Sequence, residues 1–334
     1  RKYANELHAN EIMLLAYYVA AINIEATYHG VVGGEYAPFE GIVLTDTFQM
    51  TEDGDTLDTT MFTQNNDRAV RQLNNPIQVI IGNPPYSVGQ TSANDNNANQ
   101  AYPTLDERIR TTYVANRMAK GGNVNSLYDS YIRAIRWGTD RLGDKGVLAY
   151  VTNGGYIDSK ATDGLRKSLL EDFDHLYVYN LRGNAYGSGE RRRAESGNVF
   201  GAGSRTTVAI ILAVKDPAHH GDCVLHYRDI GDYLSREQKL EIVEASIVET
   251  LEWSELEPNE RGEWINQSSG SFENYTPLGD KESDSNHASV FLTYSAGLKT
   301  GRDAWCYNSS QKRLTRSIRS MLDTYDDALA SFAP

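Results

Sequence analysis

Apolar residues in the first two-thirds of the chain fall into short continuous runs separated by stretches of helical spacing. Residues 77–86 (IQVIIGNPPY), 146–153 (GVLAYVTN), 175–181 and 206–214 (TTVAIILAV) are runs of strand length, rich in β-branched side chains. Residues 7–12, 41–48 (GIVLTDTF) and 222–227 are further strand candidates. Between them, residues 13–28 have the apolar spacing of a helix that His29 and Gly30 would close, and residues 105–118 and 164–173 also read as helical. Residues 126–142 place Leu127, Tyr131, Ile135 and Leu142 along one side of an amphipathic helix. Strands and helices alternating in this way predict an α/β fold with a doubly wound sheet.

The run at 77–81 carries no polar alternation apart from Gln78, so it reads as a fully buried strand. Pro84 and Pro85 cannot continue a ladder, and the chain must leave the sheet stiffly at the strand's carboxyl end. Asn83 and Tyr86 then stand where open α/β sheets bind ligands. The lesser alternative for the motif by itself is a strand followed by a proline-stiffened turn.

Two earlier strand ends carry similar chemistry. Glu11 sits at a strand-to-helix junction, where a carboxylate suits ribose hydroxyls or, more ordinarily, a cap. Asp46 and Phe48 follow the strand at 41–48 and would suit the amine and the face of an adenine ring, or a helix cap and turn. Residues 49–75 read as loop with one short helix. The polar stretch at 89–120 reads as a lid over the site more than as surface padding. Beyond residue 215 the pattern changes to an acidic helical segment at 235–251, a polar linker at 266–287, strands at 291–298 and 303–307, and a helix at 314–332. Domain boundaries are expected near residues 230 and 288.

Composition narrows the choice. The net charge of −13 over 334 residues argues against non-specific wrapping of nucleic acid. Charge is uneven, however: six basic and two acidic side chains lie between Arg182 and Lys215. Within that stretch a glycine-rich loop at 183–204 carries Arg191, Arg192 and Arg193, which suit mobile phosphate contacts or a solvated loop. Two cysteines, Cys223 and Cys306, form no CxxC, so neither a disulfide framework nor a metal site is expected. No apolar run approaches membrane-span length and no secretory signal is visible, which points to a cytoplasmic protein without a membrane partner. The chain begins at Arg1 rather than Met, as a piece of a longer protein would.

The order Glu11, Asp46-x-Phe48, Asn83-Pro84-Pro85-Tyr86, GVLAYVTN and TTVAIILAV resembles the amino-methyltransferases over roughly residues 1–216. The segments ELHANEIMLLAYYVAAINIEATYH, VIIGNPPYSVGQTSAND, NSLYDSYIRAIRW, GERRRAESGNVFGAGSRTTVAI and GLKTGRDAW resemble more closely the methyltransferase part of single-polypeptide Type I (Type ISP) restriction–modification enzymes. The resemblance implies a Rossmann-like S-adenosylmethionine-dependent methyltransferase sheet, lacking its first strand and Gly-rich turn, over residues 1–230. It implies an acidic helical and polar linker at 231–287, and the start of a mixed target-recognition region at 288–334. It implies site-specific N6-methylation of a flipped adenine in double-stranded DNA, with nuclease and helicase-like domains upstream in the same polypeptide. Asn83, Pro84, Pro85 and Tyr86 would be the catalytic set. Hydrogen bonds from the target amine to the Asn83 side chain and the Pro84 carbonyl would aim its lone pair at the methyl donor, with Tyr86 stacked on the base. Glu11, Asp46 and Phe48 would hold the cofactor, with its Gly-rich half outside this chain. Phe200 and Tyr128 would stack on or line the base pocket, and Arg191, Arg192 and Arg193 would hold phosphates. Two other readings remain open: a methyltransferase of the same motif acting on protein glutamine or ribosomal RNA, and a catalytically incomplete DNA-recognition fragment.

Overall fold

The computed structural model describes residues 1–52, 63–86, 101–119, 123–201, 204–276, 278–279, 289–291, 300–301 and 303–332. The chain divides into two units, Arg1–Gln267 and Ser268–Pro334.

In the first unit a short helix, α1 (Lys2–Asn5), leads to β1 (Ala9–Glu11), which the long helix α2 (Leu14–Val32) connects to the parallel strand β2 (Ile42–Leu44). Parallel neighbours need such a crossover. Glu11 lies opposite Leu44, so the two carboxyl ends emerge side by side. Tyr17, Ala20, Ala21, Ile24 and Tyr28 turn one face of α2 onto Tyr3, Phe39 and Ile42. Its other face leaves Leu15, Tyr18, Val19 and Ile22 exposed. The helix runs past the stop expected at His29–Gly30 and closes at Gly33, whose φ of 68° lies in the left-handed region and whose N–H bonds the His29 carbonyl at 2.9 Å.

After α3 (Thr63–Asn74) comes β3 (Ile77–Gly82), then α4 (Pro103–Ile109), α5 (Ser130–Arg141), β4 (Leu142–Asn153), α6 (Asp163–Asp172), β5 (His175–Arg182), α7 (Gly189–Glu195), β6 (Val208–Lys215), β7 (Val224–Asp229), α8 (Arg236–Glu244) and β8 (Ser254–Leu256). The strands from β3 onward form one mixed sheet in the order β3-β4-β6-β5-β7-β8. β3 is parallel to β4, and β5 to β7, while β6 runs antiparallel to both β4 and β5. Strands β3, β4, β5 and β7 therefore end, and β6 begins, at the same edge of the sheet. The fold is α/β with a mixed sheet.

Alternation along β4, β5 and β6 sends Leu148, Tyr150, Leu176, Val178, Ala209 and Ile211 into a core shared with Ile132 and Ile135 of α5, and Leu165 and Leu169 of α6. Two expectations change here. β3 is not fully buried: Val79 is 58% and Ile81 80% exposed, because among the described residues only β4 lies alongside it. The compact unit also continues beyond the boundary expected near 230. β8 pairs with β7 in antiparallel register, and Trp264, 1% exposed, packs into the main core with its ring against Tyr156. Of the helical patch expected at 105–118, α4 and one wide turn at Arg110–Val114 bury Leu105, Ile109 and Tyr113, whereas residues 89–100 and 120 of the expected lid lie outside the described residues.

The second unit contains α9 (Asp303–Cys306) and α10 (Gln311–Phe332). Residues 303–307 were expected as a strand. Instead they begin a helical turn, with the Thr300 hydroxyl bonded to the Asp303 carboxylate ahead of it and the Tyr307 N–H returning to the Asp303 carbonyl at 2.9 Å. These local bonds outweigh the strand preference of Trp305 and Tyr307. The strand expected at 291–298 falls almost wholly on residues 292–299, outside the described ones. α10 carries Lys312, Arg313, Arg316 and Arg319 in its first half and Asp323, Asp326 and Asp327 in its second. Leu322, Tyr325 and Leu329 are exposed along it. Among the described residues no helix is long and apolar enough to cross a membrane.

Candidate active site

The chain leaves β3 at Gly82, which lies against Tyr150 of β4 so closely that a Cβ there would come within 2.9 Å of the ring. The next residue, Asn83, is exposed. Pro84 and Pro85 restrict the path, and the chain turns back far enough for the Tyr86 hydroxyl to donate to Asn83 Oδ1 at 2.7 Å. Burial pushes the half-buried Tyr86 phenol up to about 12, so it stays a protonated donor through the neutral range.

Phe200 approaches from the loop between β5 and β6, which returns to the same edge of the sheet. Its ring centroid lies 5.6 Å from that of Tyr86, with the planes tilted by 50°. The two residues are 114 positions apart and only the fold brings them together. Asn198 holds the loop in shape: its Oδ1 accepts from Phe200 N at 2.9 Å, and its Nδ2 donates to the carbonyls of Gly183 and Thr206 at 3.2 and 2.8 Å. The exit from β4 lies at the same edge, where Asn153 Oδ1 accepts from Gly155 N at 2.9 Å.

A second group gathers at the ends of β1 and β2. The Glu11 carbonyl accepts from Thr45 N at 2.9 Å, and the Glu11 carboxylate accepts from Met13 N at 2.9 Å at the start of α2. Asp46 Oδ1 accepts from the N–H groups of Phe48 and Gln49, at 2.9 and 3.4 Å. Its other oxygen accepts from the Tyr102 hydroxyl at 2.8 Å. Tyr102 also stands edge-on to Phe48, with centroids 5.3 Å apart, while Arg133 lies over the Tyr102 ring. Burial, with the Asp46 carboxylate second, raises the Tyr102 phenol far above its ordinary value. Glu11 and Asp46 thus each accept from backbone N–H groups just beyond their own strands while keeping their carboxylates at neighbouring strand ends.

Tyr102 is a site neighbour that sequence reasoning missed. Its only local signal is an isolated aromatic directly before the helix-initiating Pro103 in a polar stretch. Tyr128, by contrast, packs against the main core, and no described contact joins it to Asn83, Tyr86 or Phe200.

Arg191, Arg192 and Arg193 lie on α7, not in an irregular loop, and all three are exposed. Arg193 pairs with Glu190 at 3.4 Å, a surface contact of little energetic weight. Glu195 anchors the end of α7 by accepting from Gly183 N and Asn184 N at 2.9 and 3.1 Å. Among the described residues no group of three His, Cys, Asp or Glu side chains is arranged to hold a metal ion.

The sequence profile of the Type ISP C-terminal specificity domain matches residues 289–333. No curated protein matches the chain in a sequence search. Among solved structures, a nuclease-deletion mutant of the Type ISP restriction–modification enzyme LlaGI, in complex with a DNA substrate mimic, is 48% identical over 97% of this chain, with a TM-score of 0.87. The ATP-dependent Type ISP enzyme LlaBIII bound to DNA is 44% identical over 98% of the chain, with a TM-score of 0.89. A DrdV–DNA complex is 37% identical over 98%, with a TM-score of 0.87. The chain spans 26%, 22% and 32% of those three proteins respectively. It belongs to the Type ISP restriction–modification family.

Proposed function

We propose that this segment transfers a methyl group from S-adenosylmethionine to the N6 amine of a target adenine in double-stranded DNA, as part of a longer restriction–modification polypeptide. The observation that carries the reading is the chain of contacts from Asn83 through Tyr86 to Phe200 at the carboxyl ends of the parallel strands: an exposed amide oxygen bonded to one of two neighbouring aromatic rings. The amine of adenine is a weak nucleophile because its lone pair is delocalised into the ring. Asn83 Oδ1 and the Pro84 carbonyl accept its two hydrogens, which draws the nitrogen toward a tetrahedral geometry. Asn83 Oδ1 has two lone pairs and the Tyr86 hydroxyl uses one, so the amine can bind without displacing it. Tyr86 and Phe200 take the two faces of the base. A base stacked on both needs about 7 Å between the rings, two stacking distances of about 3.5 Å each. The pair must therefore open from its present 5.6 Å.

For the cofactor, the donor set fits a nucleoside: the Glu11 carboxylate for the ribose diol, Asp46 for an adenine amine and Phe48 for its face. When bound, S-adenosylmethionine supplies an electrophilic methyl group on a sulfonium sulfur. The rest of its site would come from another strand. β1 and β3 each have an edge with no neighbour among the described residues, and Val79, Ile81 and the outer face of α2 remain exposed. A parallel strand with its Gly-rich turn, set between those two edges and followed by a helix, would cover them. In the same reading the exposed arginines of α7 touch DNA phosphates. The nuclease and helicase-like parts of the polypeptide lie upstream.

The test is a methylation assay with the full-length polypeptide and labelled S-adenosylmethionine on DNA, RNA and protein, with the modified base mapped by sequencing. Label in DNA as N6-methyladenine at one sequence context is the expected result. Label confined to RNA or protein would overturn the reading in favour of the related glutamine or ribosomal RNA methyltransferases. DNA binding without label would favour a recognition fragment.

A further inference from the structure

The segment after β7 was expected to be a linker, yet it grips the loop that carries Phe200 at several points. The Arg236 Nε donates to the Val199 carbonyl at 3.0 Å, one residue from Phe200. Lys239 is fully buried, and its Nζ donates to the carbonyls of Leu181 and Glu195 at 2.9 Å each. Those two carbonyls lie at the end of β5, where the loop begins, and at the end of α7, within the loop and ahead of Phe200. The Tyr233 N–H donates to the Ala194 carbonyl at 2.9 Å. Val199 itself is buried in a separate core with Tyr179, Leu181 and Val208, against which Leu234, Ile242 and Val243 pack. A Ser235–Gln238 capping box fixes the start of α8, so the two cations project from a defined helix end.

A charged ammonium is not buried for packing alone, since desolvating it is costly unless its hydrogen bonds are made. Lys239 makes two, both to backbone, and they tie the end of α7 to the end of β5. Of the two rings, Phe200 is thus held by Asn198, Val199, Arg236 and Lys239, whereas among the described residues the Tyr86 side chain has one hydrogen bond, to Asn83. We propose that Arg236 and Lys239 of α8 are positioning residues that make Phe200 the fixed jaw of the base clamp, leaving Tyr86 as the jaw that yields when an adenine enters. The proposal rests on the reading of Phe200 as the second stacking face.

The experiment uses the full-length enzyme and a duplex carrying 2-aminopurine at the mapped target adenine. It compares Arg236→Gln, Lys239→Met and Phe200→Ala with the wild type. Arg236→Gln and Lys239→Met should lower kcat by about 10- to 100-fold, the loss that a small displacement of a positioned group produces. They should also reduce the fluorescence rise on flipping, with KM for DNA within about twofold of wild type. A purely structural role would lower the melting temperature without this kcat-against-KM split. If Lys239→Met does not fold, Arg236→Gln decides, because Arg236 is half-exposed. Arg236→Gln with wild-type kcat and fluorescence, beside an impaired Phe200→Ala, overturns the proposal and leaves the stacking reading standing. Wild-type behaviour of Phe200→Ala overturns both.

Discussion

At the residue scale the proposed chemistry turns on one amide oxygen. Asn83 is exposed at the end of β3 and already accepts one hydrogen bond from Tyr86. Asn83→Ala should therefore leave the sheet intact and remove the acceptor on which the proposed transfer depends. The expected outcome is a loss of methylation of at least about 100-fold, comparable with removing one preorganised partner from other active sites, with DNA affinity unchanged in a mobility-shift titration. Tyr102→Phe tests the other group. It deletes the donor to Asp46 and should cost about 1 kcal/mol of stability in urea unfolding. It should also weaken S-adenosylmethionine binding several-fold by calorimetry, because Asp46 loses the partner of its second oxygen and keeps only its backbone donors. Asn83 and Tyr86 were legible because two prolines between them leave the chain few paths. Tyr102 was not legible, since its partner Asp46 lies 56 positions away and no local pattern links them. Phe200 was marked only through the family resemblance, and its approach to Tyr86 comes from the antiparallel return of β6.

At the element scale the strands were the easiest parts to read, because β-branched runs declare themselves. Their burial was harder. Ile77–Gly82 has the composition of a central strand and lies at an edge among the described residues, so its exposed Val79 and Ile81 reflect neighbours rather than sequence. The segment from 231 to 267 misled in the opposite direction: its acidic, polar character hid Lys239 and Trp264, both essentially inaccessible to solvent. Trp264→Ala should cost about 3–5 kcal/mol, the range for deleting a buried aromatic, measurable as a lower urea midpoint with an unchanged slope. A linker tryptophan would cost almost nothing. On α7 the triple substitution of Arg191, Arg192 and Arg193 by Ala should weaken DNA binding. It should also flatten the dependence of log affinity on log salt by up to about 3 units, near 0.9 for each phosphate that is no longer neutralised. An unchanged slope would remove α7 from the DNA interface.

At the scale of the whole molecule, the chain is one large mixed-sheet unit and one small unit whose described residues include α9 and α10, with the specificity-domain match lying within the second. The alternation of strands and helices announced the first unit but not its extent, since the break expected near 230 rested on a change of composition and β7–β8 pairing carries the sheet across it. The charges of α10 lead to a different kind of consequence. A helix has positive character at its start and negative character at its end, and α10 sets four basic side chains in its first half and three acidic ones in its second. Lys312 and Arg313, in its first turn, oppose its dipole. Most surface helices lose stability, or are indifferent, as salt rises; α10 should gain. Circular dichroism of residues 268–334 as a peptide should show helicity increasing from low salt toward about 0.5 M NaCl, a concentration at which the phosphate contacts proposed for α7 would be weakest.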